Sequence, residues 1–274
     1  MKLYEEAEAA KIVHAAIDRG LNFIDTGPNY SNGHAEERLG RILGSKAKGM
    51  VIATKVGTQY VNGNHVKDYS RSAIEQSVVR SMKRLNMDHI PLLQLHGMAE
   101  PLAEETVSAL SSLKQRGLVR YVGVSTDGPA AEYAIQTGVF DCLMIQYNLI
   151  VRQEPERIIS SAAKSGVGIL VKSPLAQTLY GNDIFKIRGM SDLWYLARAL
   201  KNHRSKFLRG LKFRFVNHLP GWEGSQVALR YVLNNPNISS AIIGTTKLEH
   251  LLKNIETTAM TLPDEIIHRI EDVK

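Results

Sequence analysis

The sequence predicts a (β/α)8 TIM-type barrel of parallel strands, carried by a single domain over residues 1–274. Three observations predict it. Short apolar runs alternate with helical patterns along most of the chain, and strict alternation of this kind requires a parallel sheet sheathed by helices. The 274-residue length is close to the roughly 250 residues usual for such a barrel. No Gly-x-Gly-x-x-Gly follows any strand, so an open doubly wound sheet would lack its usual dinucleotide turn.

The strands expected are Asn22–Thr26, Val51–Val56, Pro91–Leu95, Tyr121–Ser125, Cys142–Tyr147, Val167–Val171 and Ser240–Gly244. Each is short and mostly apolar, as strands buried on both faces are. Between them, Glu8–Arg19 places Ile12, Val13, Ala16 and Ile17 on one helical face and meets a stop signal at Gly20. Ser72–Leu85 aligns Ile74, Val78, Met82 and Leu85, and Ala103–Gln115 aligns Val107, Leu110 and Leu113 before Gly117. A closed barrel needs eight strands, and the pattern yields seven. The chain opens on the helix that should follow a strand, so the expectation is a barrel lacking its first strand.

Residues 176–224 exceed an ordinary βα connection and contain a helical pattern at Ser191–Leu211. This insertion either shapes a binding site or is a solvated basic helix. Nine basic side chains lie in 181–220 (Lys186, Arg188, Arg198, Lys201, Arg204, Lys206, Arg209, Lys212 and Arg214) against Asp183 and Asp192, which accounts for the whole formal charge of +7. A local basic stretch is a weaker nucleic-acid signal than a basic domain. Its aromatics, Trp194, Tyr195, Phe207, Phe213 and Phe215, are expected to pack on the barrel or line a substrate mouth. The positive charge instead hints at an anionic substrate or partner.

Composition excludes other classes. Charged residues make up 22% and mean hydropathy is −0.16, unlike a disordered or membrane chain. The lone Cys142 rules out an internal disulfide framework and a Cys-rich zinc site, and no spacing suggests another metal. The first residues are acidic and lack the apolar run of a secretory signal, so a cytoplasmic location is expected.

In a barrel the working residues sit at the carboxyl ends of the strands. The first strand ends in Asp25, followed closely by Tyr30; the second ends in Lys55; His96 follows the third. Each alone has a structural explanation: a turn aspartate, a surface tyrosine, a strand-end cation, a hydrogen-bonded histidine. Together they equip a site for protonating an alkoxide as it forms from a carbonyl. An ammonium beside a phenol favours the phenolate and eases proton transfer. In this scheme Asp25 holds Lys55, and His96 hydrogen-bonds the carbonyl oxygen or assists the proton. The hydride has to come from a cofactor.

The stretch Gly20-Leu-Asn-Phe-Ile-Asp-Thr-Gly-Pro-Asn-Tyr30, with Gly33-His-Ala-Glu-Glu-Arg-Leu-Gly40, resembles the signature segment of the aldo-keto reductase family. The resemblance continues in order through Ala53-Thr-Lys55, Leu93-Gln-Leu-His96, Val122-Gly-Val-Ser125, Ile145-Gln-Tyr-Asn148 and Ile243-Gly-Thr-Thr-Lys247. It implies a barrel that reduces aldehydes or ketones with NADPH, or runs the reverse oxidation, with a tetrad of Asp25, Tyr30, Lys55 and His96 and Tyr30 as general acid. It places nicotinamide contacts on Ser125, Thr126 and Gln146, and further cofactor contacts on Lys172, Ser173, Leu175, Gly244, Thr245, Lys247, His250 and Asn254. Two positions depart from the family pattern. Lys172 stands where a tyrosine usually stacks on the nicotinamide, and His250 stands where an arginine often grips the adenosine 2′-phosphate. Lys247 and the helix start at Thr245–Lys247 offer that phosphate other donors. NADP(H) is therefore the expected cofactor, with NAD(H) its competitor. Some family members serve as channel subunits, so a catalytically weak or inactive binding or regulatory protein on the same scaffold is the alternative.

Overall fold

The computed structural model describes residues 5–61, 64–176 and 208–273. Seven parallel strands form one sheet: β1 (Phe23–Asp25), β2 (Val51–Val56), β5 (Ile90–His96), β6 (Val119–Ser125), β7 (Cys142–Gln146), β8 (Gly168–Lys172) and β9 (Ser240–Ile242). They are hydrogen-bonded in that order, in an almost closed barrel. Among the described residues no strand bridges β9 back to β1. All seven expected strands are present, with ends shifted by no more than a few residues.

The helices are α1 (Glu6–Ile17), α2 (His34–Leu43), α3 (Arg71–Leu85), α4 (Glu104–Gln115), α5 (Pro129–Thr137), α6 (Gln153–Lys164), α7 (Gly224–Leu233), α8 (Leu248–Thr257) and α9 (Asp264–Glu271). The expected stop signals are used: Gly20 and Gly117 carry left-handed backbone (φ 84° and 69°) after α1 and α4. Among the described residues no helix is long and apolar enough to cross a membrane.

Strand side chains alternate between two layers. Ile52, Leu93, Leu95, Val122, Val124, Leu143, Ile145, Ile169 and Val171 point outward into the large core beneath the helices. Phe23, Ala53, Leu92, Cys142, Met144, Leu170 and Ile242 point inward and fill the barrel. The same parity carries on to the carboxyl ends. Asp25, Lys55, Gln94, His96, Ser125, Gln146 and Lys172 share the inward register, so the pleat alone delivers them to one mouth.

One departure from strict βα alternation lies beside that mouth. After β2 the chain forms an antiparallel hairpin, β3 (Thr58–Val61) with β4 (Asn64–Lys67), in which Thr58 pairs with Lys67. Gly57 makes the turn into it: its φ is +87°, and an added Cβ would fall 2.3 Å from the Tyr69 ring. The sequence carries the signal for this hairpin, Asn62-Gly63 between alternating segments.

The helical pattern expected over Ser191–Leu211 falls almost wholly outside the described residues; within them, 208–212 are helical. Trp194, Tyr195 and Phe207 also fall outside. Phe213 is fully buried, and Phe215 packs against the core with the Arg269 guanidinium 4.1 Å above its ring. These two aromatics therefore pack the end of the insertion onto the domain.

Candidate active site

Asp25 and Lys55 form a buried ion pair at the barrel mouth. Lys55 Nζ donates to Asp25 Oδ1 at 2.8 Å and Oδ2 at 2.6 Å, and to the Thr26 carbonyl at 2.8 Å. Neither side chain exposes more than 7% of its surface. Gln94, wholly buried, donates from Nε2 to Asp25 Oδ1 at 3.0 Å. Burial pushes the Asp25 carboxyl up, and Lys55 and Gln94 only partly pull it back.

Tyr30 opens a 3-10 turn, Tyr30–Gly33, rather than ending a strand. Its ring lies under the Lys55 ammonium, 5.1 Å from Nζ to the centroid. Asn29, the residue before it, reaches His96, with Nδ2 3.4 Å from Nδ1. The imidazole is held neutral: its pKa falls to about 4, first through burial and then through the cations Lys67, Lys55 and Lys172. Tyr30, Asp25, Lys55 and His96 all line one cavity of about 390 Å³, together with Lys67, Ser125, Lys172 and Ser173. The structure thus brings together the four residues that sequence reasoning placed at the ends of three strands.

The turn bearing Tyr30 is fixed from beneath. Glu36 of α2 is fully buried, accepts the Thr54 hydroxyl of β2 at 2.6 Å, and pairs with Arg84 of α3 at 3.2 Å. Gly40 lets α2 press onto α3; a Cβ there would come 2.5 Å from the Arg84 carbonyl oxygen. The charged residues of this clamp carry no strand-end signal. Their signal is a polar residue at a buried position of a periodic pattern, which the sequence alone does not separate from a surface charge.

The expected cofactor positions divide into two groups. Ser125, Gln146, Lys172 and Ser173 stand at adjoining ends of β6, β7 and β8, with Thr126 half-buried next to Ser125. Lys172 Nζ pairs with Asp127 at 2.8 Å and lies 3.4 Å from Ser125 Oγ. Asp127 also accepts the Gln146 backbone N–H at 2.6 Å, so it ties two strand ends together. Sequence reasoning missed it. Ser173 holds a left-handed backbone (φ 55°), and its carbonyl accepts from Asn148 at 3.0 Å. Leu175 packs against the outer core.

The second group follows β9. Gly244 and Lys247 are exposed, and Thr245 accepts the Lys247 N–H at 3.2 Å. The first turn of α8 has no side-chain cap, and Lys247 stands at its N-cap. His250 Nε2 lies 3.4 Å from Glu249, and both side chains are largely exposed. Asn254 is half-buried on the same helix. The cavity that the tetrad lines also carries the Ser125 and Ser173 hydroxyls and the Lys172 ammonium, donors that fit a nicotinamide cofactor in kind.

A model of the aldo/keto reductase family matches residues 2–274. The chain belongs to that family. It is accordingly an oxidoreductase of the carbonyl–alcohol type. Curated relatives include the uncharacterized oxidoreductase YqkF of Bacillus subtilis, 28% identical over 97% of this chain and 88% of its own length. A probable voltage-gated potassium channel subunit beta of Oryza sativa subsp. japonica is 30% identical over 97% of this chain and 87% of its own. Among solved structures, the holo form of the aldo-keto reductase AKR11C1 from Bacillus halodurans superposes with a TM-score of 0.82 at 25% identity, covering 98% of this chain and 88% of that one.

Proposed function

We propose that this aldo-keto reductase interconverts an aldehyde or ketone and its alcohol with a nicotinamide cofactor, NADPH before NADH, through one barrel domain. The observation that carries this reading is the convergence of Asp25, Lys55, Tyr30 and His96 on one cavity at the carboxyl end of the sheet. Ser125 and Gln146 would hold the nicotinamide, which would supply the hydride. The chain's own residues handle the oxygen. Tyr30 gives its phenolic proton to the oxygen as negative charge develops there, and the Lys55 ammonium above the ring stabilises the phenolate left behind. Asp25 keeps that ammonium charged and fixed, and Gln94 fixes Asp25. His96 is neutral, and with Nδ1 accepting from Asn29 its proton sits on Nε2, where it donates to the substrate oxygen.

Lys172 takes the place of a stacking ring; its stem flanks the cavity and its ammonium is tied down by Asp127. Toward the adenosine end, Lys247 and the uncapped first turn of α8 offer a 2′-phosphate its donors, which supports NADPH. His250, exposed and beside Glu249, is a poorer substitute for arginine.

Tyr30→Phe tests the reading. It is expected to lower kcat for carbonyl reduction by at least about 100-fold, the lower end for losing a general acid. Fluorescence titration with NADPH and NADH should give nearly the wild-type affinities. Turnover within a few-fold of wild type would overturn the assignment. Cofactor binding by the wild type without turnover of any carbonyl would favour a regulatory role, as the name of the rice relative invites.

A further inference from the structure

Three lysines line the catalytic cavity, and they are not equivalent. Lys55 is neutralised by Asp25 and Lys172 by Asp127. Lys67 is different. It comes from the last position of β4, and its Nζ donates to Thr58 Oγ1 at 2.6 Å and to the His96 carbonyl. Both acceptors are neutral. Thr58 and Tyr69 converge on the same carbonyl, at 3.2 and 3.4 Å, so the ammonium of this otherwise exposed side chain is held over the His96–Gly97 turn. Among the described residues no carboxylate lies within ion-pair distance of it. An ammonium has three donors, and two are used here, leaving one N–H toward the cavity.

Partial burial lowers the pKa of the Lys67 ammonium even though the residue is exposed at the rim, and an anion beside it would favour the charged form. The cavity provides a full unit of uncompensated positive charge next to His96, whose ring faces the reacting oxygen in the proposed mechanism. We infer that Lys67 is a specificity-determining residue that binds an anionic group, carboxylate or phosphate, on the carbonyl substrate. The inference rests on the oxidoreductase reading of the same site and narrows its substrate class. Held at Lys67, such a group sets the distance at which the carbonyl meets His96 and Tyr30. A neutral substrate of the same shape forgoes a charge-assisted hydrogen bond.

The test uses the full chain as wild type, Lys67→Met, Lys67→Gln and Lys67→Arg. The kcat/KM ratio of 4-carboxybenzaldehyde to benzaldehyde is expected to favour the anion in the wild type. It should fall about tenfold or more in Lys67→Met and Lys67→Gln, mainly through KM, with partial recovery in Lys67→Arg. Calorimetric binding of benzoate and of phenyl phosphate, each against benzamide, needs no turnover and separates the two anion sources: the tighter binder names the group. A wild type that does not discriminate, or a ratio and an affinity that do not move in the Met and Gln variants, would overturn the inference. Anion binding that depends on Lys67 without turnover of either aldehyde would sink the oxidoreductase reading and leave the anion site standing. Turnover of benzaldehyde with no anion preference would do the reverse.

Discussion

Two clusters of buried charge lie on either side of β2, and they are built on opposite plans. On the outer face, Glu36 meets Thr54 and Arg84, and all of its bonding goes to neighbours that pin α2 and α3 to the strand. On the inner face, Asp25 meets Lys55, but Lys67 adds a cation that no described carboxylate answers, and His96 is held neutral first by burial and then by the cations around it. The first cluster balances its charge and makes a joint. The second keeps a surplus and makes a site. Consecutive residues, Thr54 and Lys55, serve the two plans because the pleat sends them to opposite faces.

The comparison can be broken most sharply at the inner pair. Asp25→Leu leaves the Lys55 charge buried without its partner and is expected to cost about 3–5 kcal/mol, the range for breaking a buried pair. Urea unfolding would register it as a shift in midpoint, and turnover should collapse with it. A loss below about 1 kcal/mol would show that the ammonium finds water or another acceptor.

The outer joint should answer next. Arg84→Met leaves Glu36 held by Thr54 alone, and a loss of about 3 kcal/mol is expected, at the low end of the range because the guanidinium is a quarter exposed. If the joint is only structural, kcat at a temperature well below unfolding changes less than it does in Asp25→Leu. Equal kinetic damage from both variants would erase the distinction between joint and site.

The smallest effect sharpens the electrostatics of the mouth. His96 should titrate near pH 4 in a proton NMR pH series, well below the usual histidine range. With its folded pKa depressed, the unfolded chain takes up the proton first as pH falls below about 6.5. The stability His96 supplies is thus complete above that pH and drains away toward pH 4. Removing the Lys67 charge should move the midpoint upward, since a neighbouring cation disfavours imidazolium. An unmoved midpoint would mean that burial alone sets it.

Much of this was legible in the sequence. The strand ends named Asp25, Lys55 and His96 because a parallel strand buried on both faces leaves only its carboxyl end for polar chemistry. Tyr30 was found through its spacing from Asp25, although it sits in a turn. What stayed hidden depends on contacts between distant segments. Lys67 reads as an ordinary strand lysine until the hairpin brings its ammonium to the His96 carbonyl, and Asp127 is an ordinary loop acid until Lys172 and the Gln146 N–H meet it. Gln94 was visible within the expected strand, but its inward parity was not used; counting two residues back from His96 would have found it. The hairpin itself was announced by Asn62-Gly63 and overlooked because the surrounding pattern was so regular.

The barrel interior holds one more consequence. Cys142 is the chain's single thiol, packed between Met144 and Leu170 with its pKa pushed up to about 12 by burial, so in the native state it stays protonated and unreactive. Any alkylation must then wait for the staves to part. The rate at which a small maleimide or iodoacetamide consumes that thiol is a clock for the breathing of the inner layer, native to the molecule and requiring no added label.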